Sequence, residues 1–202
     1  LVIIYLIIHH LVKYKNYHKF DIPIKTYILW SIYLSIFMTI LGYFLGAMIR
    51  IPNTMVPGHY HASIGAITLI LMSFSLILFD YFELNVKNLI TRYKIFSLQP
   101  IIYAIGQSIF AIGFALAGIK GQGRKLFAKD QEIRGILDYL GLGFVGIGGI
   151  IAIFAGILFI ILSFYSFKYL LLQKLTVLIN HKKTKLKEVS YGEQTSHSTI
   201  HG

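Results

Sequence analysis

Long apolar runs dominate this sequence and restrict the fold that it can adopt. A helix needs about 20 consecutive apolar residues to cross the hydrocarbon core of a bilayer. With 56% hydrophobic residues and a mean hydropathy of +0.69, the chain is also more apolar than ordinary soluble domains. These features predict an all-α integral membrane protein, a polytopic bundle of about five transmembrane helices. The expected spans are Leu1 to about Val12, Ile22 to Ile49, Val56 to Phe79, Leu98 to Ile119 and Ile136 to Phe167.

The first span is shorter than the others and begins at Leu1 inside its apolar stretch, so we expect the chain to be a portion of a longer one. Thirteen of the nineteen lysines and arginines fall on one side of the alternating loops. Because basic loops stay in the cytoplasm, we expect a cytoplasmic C-terminus and a location in the cell (inner) membrane. Residues 1–167 form the predicted bundle and 168–202 a basic cytoplasmic tail, whose polar part from Asn180 onward is expected to be largely disordered. Anionic lipid headgroups, rather than nucleic acid, explain the net charge of +11.

Two histidines, His59 and His61, stand one residue apart near the start of the apolar run in "PNTMVPGHYHASIGAITL". Helical residues turn by about 100° each, so these side chains point about 200° apart and cannot share one metal ion. The absence of cysteine excludes thiolate metal ligands. Imidazole is an axial ligand of haem iron, so one hypothesis is that two haems flank this helix. The alternative is a pair of interfacial histidines solvated at the membrane surface.

The residues around this pair resemble a known family. The stretch "NTMVPGHYHASIGAITL" resembles the tenth transmembrane helix of the haem-copper oxidase catalytic subunit, subunit I of cytochrome c oxidase and its quinol-oxidising relatives. The preceding "LWSIYLSIFMTILGYFLGAMI", with a GxxxG pair at Gly42 and Gly46, is similar to the ninth helix. "QPIIYAIGQSIFAIGFALAGIKGQGRK" is similar to the eleventh helix and its exit loop, and "GLGFVGIGGIIAIFAGILFIILSF" to the twelfth. The resemblance implies a C-terminal portion, roughly helices eight to twelve, of such a subunit.

The resemblance implies roles for five residues. His59 matches the proximal ligand of the high-spin haem, where oxygen is reduced, and is the expected catalytic residue. His61 matches an axial ligand of the low-spin haem, and Tyr60 is expected to pack between the two haem edges. Arg124 and Lys125 match the basic pair that holds haem propionates. Lysine at 125 offers a point charge where the family has the planar fork of arginine.

The activity that the resemblance implies is the reduction of oxygen to water in a respiratory chain. Electrons would pass from the low-spin haem to a high-spin haem-copper centre, with proton uptake or pumping. The expected cofactors are two haems and copper, and the expected partners are the upstream part of subunit I, other oxidase subunits, and cytochrome c or quinol as the electron donor. The copper ligands are expected on helices that precede Leu1. His9 and His10 are too close to His59 in sequence to replace them and are expected at the interface.

Two other functions remain open at this point. One is a nitric oxide reductase relative, which shares the helix scaffold. The other is a non-catalytic membrane subunit, in which the two histidines are structural.

Further polar and small residues lie within the later spans. Gln107 and Ser108 could line a water path, but hydrogen bonding between helices is the favoured interpretation. Six glycines of the last span are expected to let helices approach one another closely: Gly141, Gly143, Gly146, Gly148, Gly149 and Gly156.

Overall fold

A computed structural model describes residues 22–84, 86–119, 121–123 and 135–198, and the protein is all-α, as the sequence predicts. Within these ranges, four of the five helices are long and apolar enough to cross a membrane. The predicted first span and the pair His9 and His10 lie outside the described residues. The helices are α1 (Ile22–Ala47), α2 (Met55–Tyr81), α3 (Val86–Arg92), α4 (Lys94–Ile119) and α5 (Ile136–Ser198).

The closest helix packing joins α4 and α5 at paired glycines. A Cβ atom built on Gly106 would lie 2.5 Å from the backbone nitrogen of Ala152, and one on Gly148 would lie 2.4 Å from that of Phe110. A second crossing pairs Gly113 with Gly141, where each added Cβ would come within 2.8 Å of the other glycine's carbonyl oxygen. Backbones approach this closely only where side chains are absent, so glycine fixes the α4–α5 spacing.

Not every glycine of the last span has this role. Gly141 and Gly148 pack as expected, and a Cβ on Gly149 would meet the Phe110 ring at 3.3 Å. For the other three, the expectation of a close helix contact is wrong within the described residues, because an added Cβ would meet no atom within 4 Å. These are Gly143, Gly146 and Gly156.

A buried glutamine connects all four long helices. Gln99 of α4 is fully buried, and its Oε1 accepts a hydrogen bond from the Tyr27 hydroxyl of α1. Its Nε2 lies 3.1 Å from the carbonyl oxygen of Ala155 in α5 and 3.3 Å from the sulfur of Met72 in α2. A polar group satisfied in this way inside an apolar bundle fixes the relative positions of the helices that it joins.

The largest differences from the sequence-based spans are in the connection after Phe79 and at the end of the last helix, and α4 also begins at Lys94 rather than Leu98. The connection after Phe79 contains the short helix α3, whose residues Val86 and Ile90 are buried in an apolar cluster at this end of the bundle. The last span was expected to end at Phe167 and the polar tail from Asn180 to be largely disordered, but α5 continues to Ser198. Residues 157–191 contain no glycine or proline, and leucine and lysine favour helix, so the sequence offers no stop signal there.

Candidate functional site

The start of α2, which carries both histidines, is fixed to the end of α4. Asn53 donates from Nδ2 to the carbonyl oxygen of Gly118 at 2.8 Å, and its Oδ1 accepts from the backbone N–H of Met55 at 2.9 Å. The backbone N–H of Thr54 donates to the carbonyl oxygen of Gln122 at 3.0 Å. Asn53 therefore caps the first turn of α2 and holds it against the neighbouring helix, which sets the position of the histidines a turn later.

The ring of His59 faces α1. Its Nδ1 lies 2.7 Å from the carbonyl oxygen of Gly42. A carbonyl oxygen only accepts hydrogen bonds, so Nδ1 is the donor in this contact, and Nε2 is the ring nitrogen that the contact does not use. A Cβ on Gly46 would lie 2.8 Å from the same Nδ1, so the GxxxG pair of α1 forms the surface on which this ring rests. The ring is thus oriented by one nitrogen, with the other able to bind a metal.

The ring of His61 faces α4 and lies among aromatic side chains. It is stacked with Phe114 at a centroid distance of 5.7 Å and an interplanar angle of 7°, and it meets the edge of Phe110 at 4.7 Å. The ring of Tyr60, which is 42% exposed, lies 4.6 Å from that of His61. None of the described residues forms a hydrogen bond with the ring nitrogens of His61. Among the described residues, ring packing is what holds His61, in contrast to the hydrogen-bonded ring of His59.

The two imidazoles therefore contact different helices, as the helical rotation between them requires. Within the described ranges, no three histidine or acidic side chains come close enough to hold a metal ion. The described part of the chain therefore offers neither His59 nor His61 a set of three such protein ligands. One nitrogen ligand is what a haem iron takes from each axial position, since the porphyrin provides the other donors.

Polar side chains lie between α2 and α4 in the turns that follow His61, toward the middle of the bundle. The Tyr103 side chain of α4 lies near that of Thr68 in α2 and near that of Gln107 in its own helix, so polar groups of the two helices come close together here. Gly65 lies one turn after His61 and leaves room for the Gln107 side chain. A Cβ atom added to Gly65 would lie 3.4 Å from the Cβ of Gln107. The Oε1 of Gln107 is buried and has no hydrogen-bond partner among the described residues.

The predicted propionate-binding pair, Arg124 and Lys125, lies outside the described residues. The chain that leads to them is described, however, because Gly123 forms an isolated antiparallel bridge with Asn53. Gln122 is buried, and its Nε2 has no partner within the described part of the chain. Gly123, the residue before Arg124, therefore lies beside the start of α2, the helix that carries the two histidines.

Several residues at this site were not found from the sequence. The Gly42 carbonyl and the rings of Phe110 and Phe114 contact the histidines, yet each comes from another helix. A GxxxG pair signals a close helix contact but does not say which side chain lies on it. The aromatic pair at 110 and 114 has the i, i+4 spacing of one helix face, which was the one available signal.

Comparison with known proteins gives one informative similarity. No protein-family model matches the chain, and no solved structure matches it. The chain is 32% identical over 150 residues to the uncharacterized protein RP382 of Rickettsia prowazekii (strain Madrid E). The alignment covers 71% of this chain but 28% of that protein, so the chain spans little more than a quarter of its relative's length. The relative's name assigns no activity.

Proposed function

We propose that this chain is a C-terminal portion of the catalytic subunit of a haem-copper oxidase, and that the whole subunit reduces oxygen to water. The observation that carries the proposal is the placement of His59 and His61 on opposite faces of one helix, each within a different helix contact. One helix can then provide axial ligands to two separate haems. The resemblance of four successive helices to the family supports the same interpretation.

The donor chemistry at both positions fits axial ligation. A metal-binding histidine typically donates its other ring N–H to a backbone carbonyl or carboxylate, which fixes the tautomer and orientation of the ring. His59 has this arrangement through the Gly42 carbonyl. His61 lies among Tyr60, Phe110 and Phe114, and such apolar surroundings suit the flat, apolar edge of a haem. His59 would hold the high-spin haem and His61 the low-spin haem.

The remaining roles of the chain follow from its charges and packing. When bound, the haems and copper would supply the electron transfer and the oxygen chemistry, while the protein supplies ligands, burial and orientation. Arg124 and Lys125 would neutralise the haem propionates. Tyr60 would lie between the two haem edges. The copper ligands, the electron-donor site and the other oxidase subunits lie outside this chain in the proposal.

A specific observation also favours the structural alternative for one histidine. The ring of His61 is stacked on Phe114, and this contact alone would stabilise a histidine in an apolar bundle. In that case the chain would belong to a non-catalytic membrane subunit. The two functions differ in haem content, which is directly measurable.

The test is a reduced-minus-oxidised optical spectrum of the affinity-purified native complex, repeated with carbon monoxide. The proposal expects two haem signals, of which carbon monoxide perturbs only the one held by His59. The substitution His61→Gly should remove the other signal, and added imidazole should restore it by occupying the vacated position. His181→Gly, a histidine far along α5, is the matched control and should leave both signals unchanged.

Absence of haem from the native complex would reject the oxidase proposal and favour the structural role. Two haem signals that survive His61→Gly would reject the ligand assignment of that residue. A haem-containing complex with a second, non-haem iron in place of copper, measured by metal analysis, would identify a nitric oxide reductase relative instead.

A further inference from the structure

A second feature of the molecule lies at the opposite end of the bundle from His59. A groove of about 260 Å³ opens where α3, α4 and α5 meet. Its volume is below the range of about 300–1,000 Å³ that is typical of pockets for compact small molecules. The groove is mostly apolar, and its lining residues are Leu89, Tyr93, Ile95, Phe96 and Tyr165.

The base of the groove, at Phe96, is apolar, and its rim, at Tyr93 and Tyr165, is amphipathic. Phe96 is buried and belongs to the apolar cluster that also contains Ile90 of α3. Tyr93 and Tyr165 are 47% and 51% exposed, one on each side of the groove. Tyrosines in this half-exposed position are typical of the level at which the hydrocarbon core of a membrane meets its headgroups. The groove therefore lies where a lipid chain would reach the polar surface.

The rim of the groove is basic. Arg92 and Lys94 are the immediate neighbours of Tyr93, and the guanidinium carbon of Arg92 lies 5.6 Å from the centroid of the Tyr93 ring. Lys168 follows Tyr165 by three residues on α5, so the two share a helix face. All three cations are exposed. They lie on α3, α4 and α5, the three helices that border the groove.

Acidic side chains at this end of the bundle are fewer. The described residues here include two carboxylates, Asp80 and Glu83, at the end of α2. Against them stand five described cations, which give this end a net positive charge: Lys25, Lys87, Arg92, Lys94 and Lys168. An anionic ligand is therefore favoured electrostatically at the rim.

We propose that this groove binds one anionic phospholipid. An acyl chain lies along Leu89, Phe96 and Tyr165, and the phosphate lies among Arg92, Lys94 and Lys168. Basic pockets between transmembrane helices at the membrane surface bind anionic headgroups in this manner. A soluble phosphate has no apolar part that could occupy the groove. A zwitterionic lipid has no net charge, so the three cations would attract it only weakly. The site depends on neither histidine, and its test needs no haem.

The experiment uses the native complex, purified in detergent and exchanged with phosphatidylglycerol or phosphatidylcholine. Native mass spectrometry counts the lipid that each sample retains. We expect selective retention of phosphatidylglycerol, and a fall of roughly tenfold or more in its preference over phosphatidylcholine when Arg92, Lys94 and Lys168 are replaced by glutamine. The matched control replaces Lys174, Lys182 and Lys183 by glutamine, which removes the same charge from exposed positions farther along α5.

A second variant tests the groove without changing any charge. Ile95→Trp fills the groove and should abolish retention of the lipid, while Ile150→Trp, at a position 70% exposed on α5, should not. Equal retention of the two lipids by the native complex would overturn the proposal. So would equal losses in the two charge variants, retention unaffected by Ile95→Trp, or displacement of the lipid by inorganic phosphate alone.

Discussion

The ring of His59 rests directly on Gly46: a Cβ atom at position 46 would lie 2.8 Å from Nδ1 and 3.0 Å from Cε1. The ring cannot easily move away, because Nδ1 is hydrogen-bonded to the Gly42 carbonyl oxygen at 2.7 Å. Gly42 is restricted as well, since a Cβ there would meet the hydroxyl oxygen of Ser63 at 2.5 Å. The GxxxG pair of α1 thus positions a candidate metal ligand in addition to bringing two helices together.

We therefore expect Gly46→Ala to displace the His59 ring and to cost about 1–3 kcal/mol of stability through overpacking. Under the proposed function, the carbon monoxide-sensitive haem signal should weaken or shift while the other signal stays. Optical spectra and thermal unfolding in detergent measure both effects. Gly143→Ala is the matched control, because nothing lies within 4 Å of a Cβ there. Normal spectra and normal stability for Gly46→Ala would contradict the contact.

The hydrogen bond between Tyr27 and Gln99 gives a second prediction. Tyr27→Phe leaves the buried Oε1 of Gln99 without its donor, which should destabilise the protein by about 0.6–2 kcal/mol. In membranes such bonds average about 0.6 kcal/mol, which sets the lower end of the expectation. A double-mutant cycle with Gln99→Leu, followed by thermal unfolding, isolates the coupling between the two side chains. Additive effects would show that the two side chains do not interact.

The control for this cycle is Thr176→Val. Its hydroxyl bonds only to the carbonyl oxygen of Leu172 in the same helix and is exposed, so its removal should change the stability by less than about 0.5 kcal/mol.

The extent to which the sequence determined these features differs from residue to residue. The opposite orientation of His59 and His61 follows from helical rotation alone, and the structure agrees with it. The contact of His59 with Gly42 could not be foreseen, because it depends on how α1 lies against α2. Similarly, Gln99 reads as an isolated polar residue near the start of an apolar run, and its role emerges only when three other helices surround it. Positions within one helix were predictable, whereas pairings between helices were not.

Gly148 provides a third prediction, at the crossing of α4 and α5. A Cβ there would lie 2.4 Å from the backbone nitrogen of Phe110 and 2.7 Å from the carbonyl oxygen of Gly106, and backbone atoms cannot give way as a side chain can. Gly148→Ala should force the helices apart and cost about 1–3 kcal/mol. Because Phe110 contacts His61, the environment of that histidine should change too.

Gly146→Ala is the matched control for this crossing. It lies two residues away on the same helix, where an added Cβ meets nothing within 4 Å. Alanine there should be neutral or stabilise the protein by about 0.4–1 kcal/mol, because it restricts the unfolded chain. Thermal unfolding of the two variants side by side makes the comparison. Equal stability of both would contradict the close crossing.

Asn53 gives the last prediction, because it has two separable roles at the start of α2. Its Oδ1 caps Met55, and its Nδ2 holds the carbonyl oxygen of Gly118. Asn53→Ala removes both bonds, at about 1 kcal/mol each, whereas Asn53→Ser keeps an acceptor for the cap and loses only the link to α4. The serine variant should therefore fall between the native protein and the alanine variant in thermal stability. Hydrogen exchange separates the roles: the first turn of α2 should lose protection in Asn53→Ala but keep most of it in Asn53→Ser. Equal exchange in the two variants would mean that the cap contributes nothing and that the link to Gly118 alone positions the histidine helix.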